Sequence, residues 1–209
     1  MKALYFEGDN GQTVVEREIP ESMSEIVREK KLELLSTLAE HDPEVEEYYL
    51  NEDINIPADE LKKSIRRLTI EQKFCPVLMG SAYKNKGIQP LLDSVLEYLP
   101  KPTEVANYAF DLAKQNEKIQ TEIDFKKPFV GLAFKLEESQ FGQLTYIRIY
   151  QGKLKKGATI NNTATKKKVK ISRMVRMHSN EMEDISEAGA GDIFAIFGVD
   201  CASGETFCD

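Results

Sequence analysis

The sequence has no tryptophan, two histidines and three cysteines, and it has no long hydrophobic run. Cys75, Cys201 and Cys208 form no C-x-x-C pair, so zinc-binding spacing is absent, and a disulfide framework would favour an even number of cysteines. We therefore interpret them as reduced thiols in a reducing compartment. Apolar runs such as PVLMG are far shorter than a bilayer span, so the sequence predicts no transmembrane helix and no membrane partner.

The N-terminal sequence MKALYFEGDNGQTVVERE lacks the apolar core of a signal peptide and is too acidic for a transit peptide. We expect that the protein works where it is made, or that its targeting segment lies outside this sequence. Hydrophobic residues make up 41% of the chain and charged residues 30%, a mixture that is typical of globular domains and sufficient to bury a core.

The net charge of -7 is distributed unevenly. Residues 1–101 contain 13 basic and 20 acidic residues, whereas residues 102–209 contain 15 of each. Within the second part, residues 139–180 contain ten basic residues and no acidic residue. Seven of the ten are lysines: Lys153, Lys155, Lys156, Lys166, Lys167, Lys168 and Lys170. This segregation predicts a surface that faces a polyanion.

The first hundred residues predict a hairpin followed by helices. ALYFE and TVVEREI alternate around the turn sequence GDNG, which indicates a β-hairpin. Ser22 and Glu25 form a capping-box pattern that begins a periodic helix over residues 22–40. Pro43 and Pro57 are predicted to be the first residues of two further helices. PVLMG predicts a buried strand and IQPLLDSVLEYL a helix over residues 88–99, and strand, loop and helix together form the unit of an α/β sheet.

The remainder of the chain predicts a different architecture. Residues 102–126 are proline-flanked, polar and weakly patterned, which indicates a linker. Short strands separated by turn residues follow, namely PFVGLAFKL, QLTYIRIYQG, ATINN, KKVKISRMVRM and AGDIFAIFG. The predicted fold is therefore α/β in residues 1–101 and an all-β barrel in residues 127–209.

The loop GSAYKNKG between the predicted strand and helix resembles a phosphate loop only at first sight. A phosphate loop has the pattern G-x-x-x-x-G-K-[ST], in which amides, a lysine and a hydroxyl hold phosphates and magnesium. Here six residues rather than four separate Gly80 from Gly87, and Ile88 and Gln89 occupy the lysine and hydroxyl positions. A loop at the carboxyl end of a strand is nevertheless where α/β sheets bind ligands.

The longer string SAYKNKGIQPLLDSVLEYLP resembles elongation factor G, a translational GTPase. ALYFEGDNGQTVVEREIP resembles the insert in its GTP domain, and PFVGLAFKLEESQFGQLTYIRIYQG resembles the start of its second domain. FGVDCASGETF is closer to the mitochondrial form than to the bacterial one. The resemblance is weakest over residues 103–126. It implies the C-terminal part of a P-loop GTPase domain with an α+β insert, followed by the β-barrel known as domain II.

The resemblance implies that the chain is a fragment of a ribosomal GTPase that moves tRNA and mRNA after peptide bond formation. The phosphate loop, both switches, the catalytic histidine and the N-K-x-D motif would lie before Met1. GTP and Mg²⁺ are then cofactors of the parent protein, and we expect the fragment to hydrolyse no GTP and to bind it very weakly. No residue of the chain is expected to be catalytic or to bind metal, and His41 and His178 are expected to be structural or surface residues.

Two sites follow from the resemblance. The fifth GTPase motif implies that the amide of Ala82 meets the guanine oxygen and that Ser81 stabilises the turn by a local hydrogen bond. The seven lysines would contact ribosomal RNA phosphates, although lysines at hairpin tips also protect strand edges. Ribosomal stalk proteins are a further candidate partner, through the acidic helices near the N-terminus.

We expect a monomer in the mitochondrial matrix, with a plastid-type organelle or the cytoplasm as alternatives. The alternative functions are a ribosome-recycling paralogue of the same family and a non-enzymatic RNA-binding barrel module.

Overall fold

The computed structural model describes residues 1–51, 55–139 and 142–209, and the chain divides into two compact units, Met1–Pro100 and Lys101–Asp209. In the described part, the first unit consists of a β-hairpin and α-helices, listed here in chain order: β1 (Ala3–Glu7), β2 (Thr13–Arg17), α1 (Ser24–Ala39), α2 (Pro43–Leu50), α3 (Ala58–Ile70) and α4 (Ile88–Tyr98). The predicted hairpin and all of the predicted helices are present. No helix in the described ranges combines the length and the apolar character needed to cross a membrane.

Two helix starts differ from the prediction. Helix α3 begins at Ala58, because Pro57, the predicted first residue, has a non-helical ψ of 136° and is the N-cap. Residues Glu21–Met23 form a short 3₁₀ turn, so α1 begins at Ser24 and Met23 occupies the N-cap without a side-chain hydrogen bond. The predicted capping box of Ser22 and Glu25 is therefore wrong, because Ser22 lies inside the turn. Asp42 caps α2 instead, and its carboxylate accepts a hydrogen bond of 3.1 Å from the amide of Glu44.

A small apolar core holds the helices of the first unit together. Leu35 and Leu38 of α1 pack with Val45 of α2 and Leu68 of α3, all of them buried. The C-terminal end of α4 is attached to α3, since the Arg66 guanidinium donates to the carbonyl oxygens of Glu97 at 2.8 Å and Leu99 at 3.0 Å. These bonds satisfy carbonyl groups that a helix end leaves without partners. The start of α4, where the GSAYKNKG loop joins it, lies at the opposite end of this helix.

The segment PVLMG does not form the predicted buried strand. Residues 74–80 have no strand pairing, and the side chains of Val77 and Met79 are 85% and 92% exposed. A continuous apolar strand of an α/β sheet needs partner strands beside it and helices on its faces. None of the described residues supplies a partner strand, so the pairing that the sequence pattern indicated is absent.

The second unit is built from strands, listed here in chain order: β3 (Asn107–Asp111), β4 (Glu117–Thr121), β5 (Val130–Ser139), β6 (Gly142–Gln151), β7 (Lys153–Lys155), β8 (Thr159–Asn162), β9 (Lys168–Lys170), β10 (Met174–His178), β11 (Glu181–Ile185), β12 (Glu187–Gly189), β13 (Ile193–Phe197) and β14 (Thr206–Cys208). Strands β3 and β4 form an antiparallel hairpin with Ala109 opposite Ile119. The predicted linker, residues 102–126, therefore contains regular structure that its weak sequence pattern did not indicate.

The main sheet of the second unit is antiparallel, with the strand order β11-β10-β13-β6-β5-β14-β8-β9. It curls around an apolar core that includes Phe129, Ile147, Phe194 and Phe207, and β7 pairs separately with β12. This curled sheet confirms the predicted barrel-like all-β part. The predicted single strand KKVKISRMVRM is divided into β9 and β10, because β9 pairs with β8 whereas β10 pairs with β11 and β13.

Candidate nucleotide-facing loop and basic surface

The loop of residues 81–86 is a tight turn closed by main-chain hydrogen bonds. The amide of Ser81 donates to the carbonyl of Lys86 at 2.8 Å, and the amide of Lys86 donates back to Ser81 at 3.0 Å. Inside this pair, the amide of Lys84 donates to Ser81 and the amide of Asn85 donates to the carbonyl of Ala82, at 3.2 and 3.0 Å. The loop therefore has a defined backbone conformation that does not depend on long side chains.

Two glycines allow the chain to pass close to itself at the base of this loop. A Cβ atom on Gly80 would lie 2.6 Å from the carbonyl oxygen of Lys86. Gly87 has φ +79°, and a Cβ atom there would lie 2.8 Å from the carbonyl oxygen of Met79. Both distances are shorter than real Cβ contacts, so only glycine fits at either position. The spacing of Gly80 and Gly87, which excludes a phosphate loop, is the spacing that closes this turn.

Ala82 lies at the exposed tip of the turn, next to Tyr83, whose side chain is 98% exposed. Within the described ranges, the amide of Ala82 donates no hydrogen bond, so this N–H group is available to a ligand. The hydroxyl of Ser81 likewise has no hydrogen-bond partner in the part of the chain that the structure describes. Main-chain hydrogen bonds thus close the turn in place of the predicted Ser81 side-chain bond.

The seven candidate lysines are all exposed, but they fall into two groups. The first group, Lys153, Lys155 and Lys156, lies on and just after β7. Strand β12 places Glu187 beside it, with the Glu187 Oε2 atom 3.8 Å from Lys153 Nζ and 3.3 Å from Lys155 Nζ. Carboxylates from beyond residue 180 therefore offset part of the positive charge that the sequence segregates.

A second carboxylate offsets the charge of Arg173, the residue that precedes β10. Asp184 of β11 accepts a hydrogen bond of 2.8 Å from the Nε atom of Arg173. This hydrogen bond is the main cause of the lowered pKa of Asp184, and the positive charge of Lys156 acts in the same direction. In the folded protein, acidic residues from later strands therefore lie beside some of the basic residues of segment 139–180, although the segment itself contains none.

The second lysine group, which we call the β8–β9 lysines, consists of Lys166, Lys167, Lys168 and Lys170. Within the described ranges, no carboxylate lies within the 4.0 Å of an ion pair from any of these four ammonium groups. Lys168 and Lys170 belong to β9, the edge strand of the main sheet, whereas Lys166 and Lys167 belong to the turn that precedes it. Unlike Lys153 and Lys155, these four lysines therefore have no ion-pair partner among the described residues.

Asn162 shapes the turn that presents the β8–β9 lysines. Its buried side chain accepts hydrogen bonds from the amides of Ala164 at 2.9 Å and Thr165 at 3.1 Å, and it donates to Glu205 at 2.6 Å. The main chain of Asn162 is bonded to Lys166 and Lys167. No local sequence pattern indicates the link between Asn162 and Glu205, because the two residues are 43 positions apart.

Comparisons with known proteins agree with this fold. The family described as "Elongation factor Tu domain 2" matches residues 142–208. The chain is 52% identical over its 209 residues to "Elongation factor G-1, mitochondrial" of Arabidopsis thaliana, a match that covers 100% of this chain and 28% of that protein. Over its whole length, the chain is therefore similar to a segment of elongation factor G.

A crystal structure of a protein from Thermus thermophilus is similar in fold to this chain. Its TM-score is 0.67 and its sequence identity 24%, and the match covers 100% of this chain and 28% of that one. The chain thus spans little more than a quarter of the length of the relatives it matches. The whole-chain match with elongation factor G includes the first unit, which a stand-alone RNA-binding barrel would not require. It therefore favours the translation-factor interpretation.

The two histidines and three cysteines do not form a metal-binding cluster in the part of the chain that the structure describes. His41 and His178 are exposed, and the Nε2 atom of His178 lies 3.1 Å from Glu183 Oε2. Residues 1–51, 55–139 and 142–209 contain no group of three histidine, cysteine or acidic side chains placed to hold a metal ion. The three cysteines are free, with Cys75 exposed and the other two half-buried.

Proposed function

We propose that this chain is part of a ribosomal translocation factor that moves tRNA and mRNA in a GTP-dependent manner in mitochondrial protein synthesis. The observation that carries this proposal is the 52% identity over the whole chain to a mitochondrial elongation factor G. GTP and Mg²⁺ would be held by residues outside these 209. Phosphoryl transfer by such an enzyme depends on positioned phosphates, a magnesium ion and an oriented water, for which this chain supplies no group.

The contribution of this chain to the nucleotide site is recognition of the base. An exposed N–H donor at Ala82, on a turn that is held by its own main chain, is suited to an oxygen acceptor such as that of guanine. Because the donor is fixed before the ligand binds, little conformational entropy is lost on binding. Ser81 belongs to this site through its place in the turn and through its backbone bonds to Lys86.

An Ala82→Pro substitution in the full-length factor tests this role, because proline removes the N–H group. We expect GDP affinity to fall by about threefold to tenfold, the value of one hydrogen bond. Affinity for 6-thioguanosine diphosphate, whose sulfur accepts hydrogen bonds weakly, should change less. Tyr83→Ala, next to it in the loop, is the control and should leave both affinities unchanged. An equal loss of affinity for the two nucleotides would contradict the assignment.

The β8–β9 lysines are proposed to contact the phosphates of ribosomal RNA. Lysine is suited to contacts with the backbone that do not depend on sequence. Protection of a sheet edge accounts for Lys168 and Lys170, which lie on the edge strand β9. It does not account for Lys166 and Lys167, which precede the strand and have no carboxylate partner among the described residues.

The salt dependence of ribosome binding tests this contact. Each phosphate that a lysine neutralises adds about 0.9 to the slope of log K against log salt concentration. Charge reversal at Lys166, Lys167 and Lys168 in the full-length factor should therefore reduce the slope by about two to three. The matched control is charge reversal at Lys153, Lys155 and Lys156, which we expect to have a smaller effect because the ammonium groups of Lys153 and Lys155 already face Glu187. An unchanged slope after charge reversal would support edge protection instead.

A location in mitochondria and a monomeric state complete the proposal. The location follows from the name of the Arabidopsis thaliana relative and is tested by imaging the tagged full-length protein together with a mitochondrial marker. Sedimentation of the full-length factor with and without ribosomes tests both the monomeric state and the ribosome as partner.

A further inference from the structure

The turn of the β1–β2 hairpin lies directly against the loop of residues 81–86. Gly11 in this turn is buried and has φ +63°. A Cβ atom on Gly11 would lie 3.0 Å from the carbonyl oxygen of Asn85 and 3.1 Å from that of Lys84. The contact is therefore backbone against backbone, and even a methyl group in it would require one of the two segments to move.

A side chain from α4 holds the same hairpin turn from the other side. The carboxamide nitrogen of Gln89, in the first turn of α4, donates to the carbonyl oxygens of Gly11 at 3.5 Å and Gln12 at 3.4 Å. Gln89 is only three residues beyond the end of the loop. The hairpin turn thus contacts the loop itself and the helix that follows it.

The two carbonyls that face Gly11 belong to the part of the loop that orients Ala82. The Lys84 carbonyl shares its peptide group with the amide of Asn85, which donates to the carbonyl of Ala82. The Asn85 carbonyl shares its peptide group with the amide of Lys86, which donates to the carbonyl of Ser81. Moving the peptide groups of Lys84 and Asn85 would therefore disturb the bonds that hold the peptide groups of Ser81 and Ala82. The direction of the Ala82 N–H group depends on those bonds.

We propose that Gly11 is a positioning residue for guanine recognition. The hairpin turn supports the loop from behind, and the absence of a side chain at Gly11 lets the loop hold its Ala82 amide in the direction of the base. This inference rests on the proposed function of Ala82. It assigns to the N-terminal hairpin a role in nucleotide affinity, although no residue of the hairpin would touch the nucleotide.

Gly8 provides a matched control within the same turn. Its φ is +80° and its ψ −179°, a region that only glycine normally occupies, so alanine is strained there as well. A Cβ atom on Gly8, however, would lie 3.4 Å from Thr13 Oγ1 and 3.6 Å from Gln12 Cγ, both in the hairpin itself. Gly8→Ala therefore strains the backbone of the same hairpin turn without placing an atom against the loop.

The experiment compares Gly11→Ala and Gly8→Ala in the full-length factor by competition binding of GDP and 6-thioguanosine diphosphate. We expect Gly11→Ala to reduce the affinity for GDP by about threefold to tenfold, as for loss of one hydrogen bond. Its effect on the affinity for the thio analogue should be smaller. Gly8→Ala should change neither affinity. Equal behaviour of the two variants towards GDP, or an equal loss for both nucleotides, would overturn the proposal.

Ala82→Pro and Gln89→Met distinguish a failure of the role proposed for Gly11 from a failure of the role proposed for Ala82. If Ala82→Pro leaves the preference for GDP unchanged, the proposed function of Ala82 fails, and the role of Gly11 with it. If Ala82→Pro reduces the preference but Gly11→Ala does not, only the role of Gly11 fails. Should Gly11→Ala not fold, Gln89→Met removes the bonds to the hairpin turn without adding volume. Its expected result is a selective loss of GDP affinity of about twofold, at the weak end of hydrogen-bond values, and no selective loss overturns the proposal.

Discussion

The carboxylate of Asp42 accepts a hydrogen bond of 2.5 Å from the guanidinium of Arg67, and this ion pair connects α2 to α3. The same carboxylate accepts hydrogen bonds from the Ser64 hydroxyl and from the amide of Glu44. The Asp42 side chain is 0% exposed and that of Arg67 is 44% exposed. Asp42 is thus a buried helix cap whose charge is compensated by a residue from another helix.

Replacing Asp42 by alanine should destabilise the first unit by about 2 kcal/mol, because the α2 cap is lost and two donors are left without their acceptor. Helical circular dichroism during denaturant unfolding measures this change, since all α-helices in the described ranges belong to the first unit. Glu44→Ala is the control. Its carboxylate lies 3.4 Å from Arg67 and is 83% exposed, so a loss below about 0.5 kcal/mol is expected. Equal losses for the two variants would contradict the buried cap.

The stability of the first unit should decrease in acid through Asp42. Burial raises the pKa of this carboxyl group, but hydrogen bonds from Ser64, Arg67 and the amide of Glu44 outweigh burial, so its pKa in the folded state is lowered. A lowered pKa contributes stability above the unfolded value of about 3.9 and loses it as the pH falls through the folded value. Unfolding free energies measured between pH 6 and pH 2 should therefore fall less steeply below about pH 4 in Asp42→Asn than in the unchanged protein. Identical slopes would show that Asp42 has no such role.

Two glycines of the second unit should respond differently to alanine. Gly152 has φ +73°, and a Cβ atom there would lie 2.6 Å from the carbonyl oxygen of Lys127 and 2.7 Å from that of Pro128. Gly157 has φ +87°, but no atom lies within 4 Å of a Cβ atom there. Positive φ costs an alanine about 1 to 2 kcal/mol at either site, and overpacking adds about 1 to 3 kcal/mol at Gly152 alone. Native-state hydrogen exchange of the β5 and β6 amides measures the stability of both alanine variants. Equal losses of stability would show that the close contacts of a Cβ atom at Gly152 are relieved without an energetic cost.

The 209-residue chain alone should bind GTP too weakly to measure at micromolar concentrations. One available amide at Ala82 contributes about 1 kcal/mol, whereas micromolar affinity requires about 8 kcal/mol. The chain has no phosphate-loop sequence to supply the rest. Titration with a fluorescent GTP analogue checks this, and a micromolar dissociation constant would contradict it.

The sequence alone determined much of the secondary structure, and it alone excluded a phosphate loop. The hairpin around GDNG, the helices that begin at or beside Pro43 and Pro57, and the strands that line the curled sheet follow from turn residues and periodicity, which act over a few residues. The spacing of Gly80 and Gly87 excluded a phosphate loop for an equally local reason. The distinctive string SAYKNKGIQPLLDSVLEYLP indicated the family without any structural information.

Only the tertiary structure decided the features that depend on distant partners. PVLMG has the composition of a buried strand, but a strand needs neighbours, and the described residues provide none. Within the predicted linker, β3 and β4 pair as a hairpin despite a weak sequence pattern, because cross-strand contacts and not local propensity stabilise it. Lys153 and Lys155 face Glu187 across a strand pair. The run of basic residues in the sequence therefore predicted a larger unpaired positive surface than the folded protein has. The contact of Gly11 with the loop of residues 81–86 joins segments more than seventy residues apart, and packing of the backbone places them together.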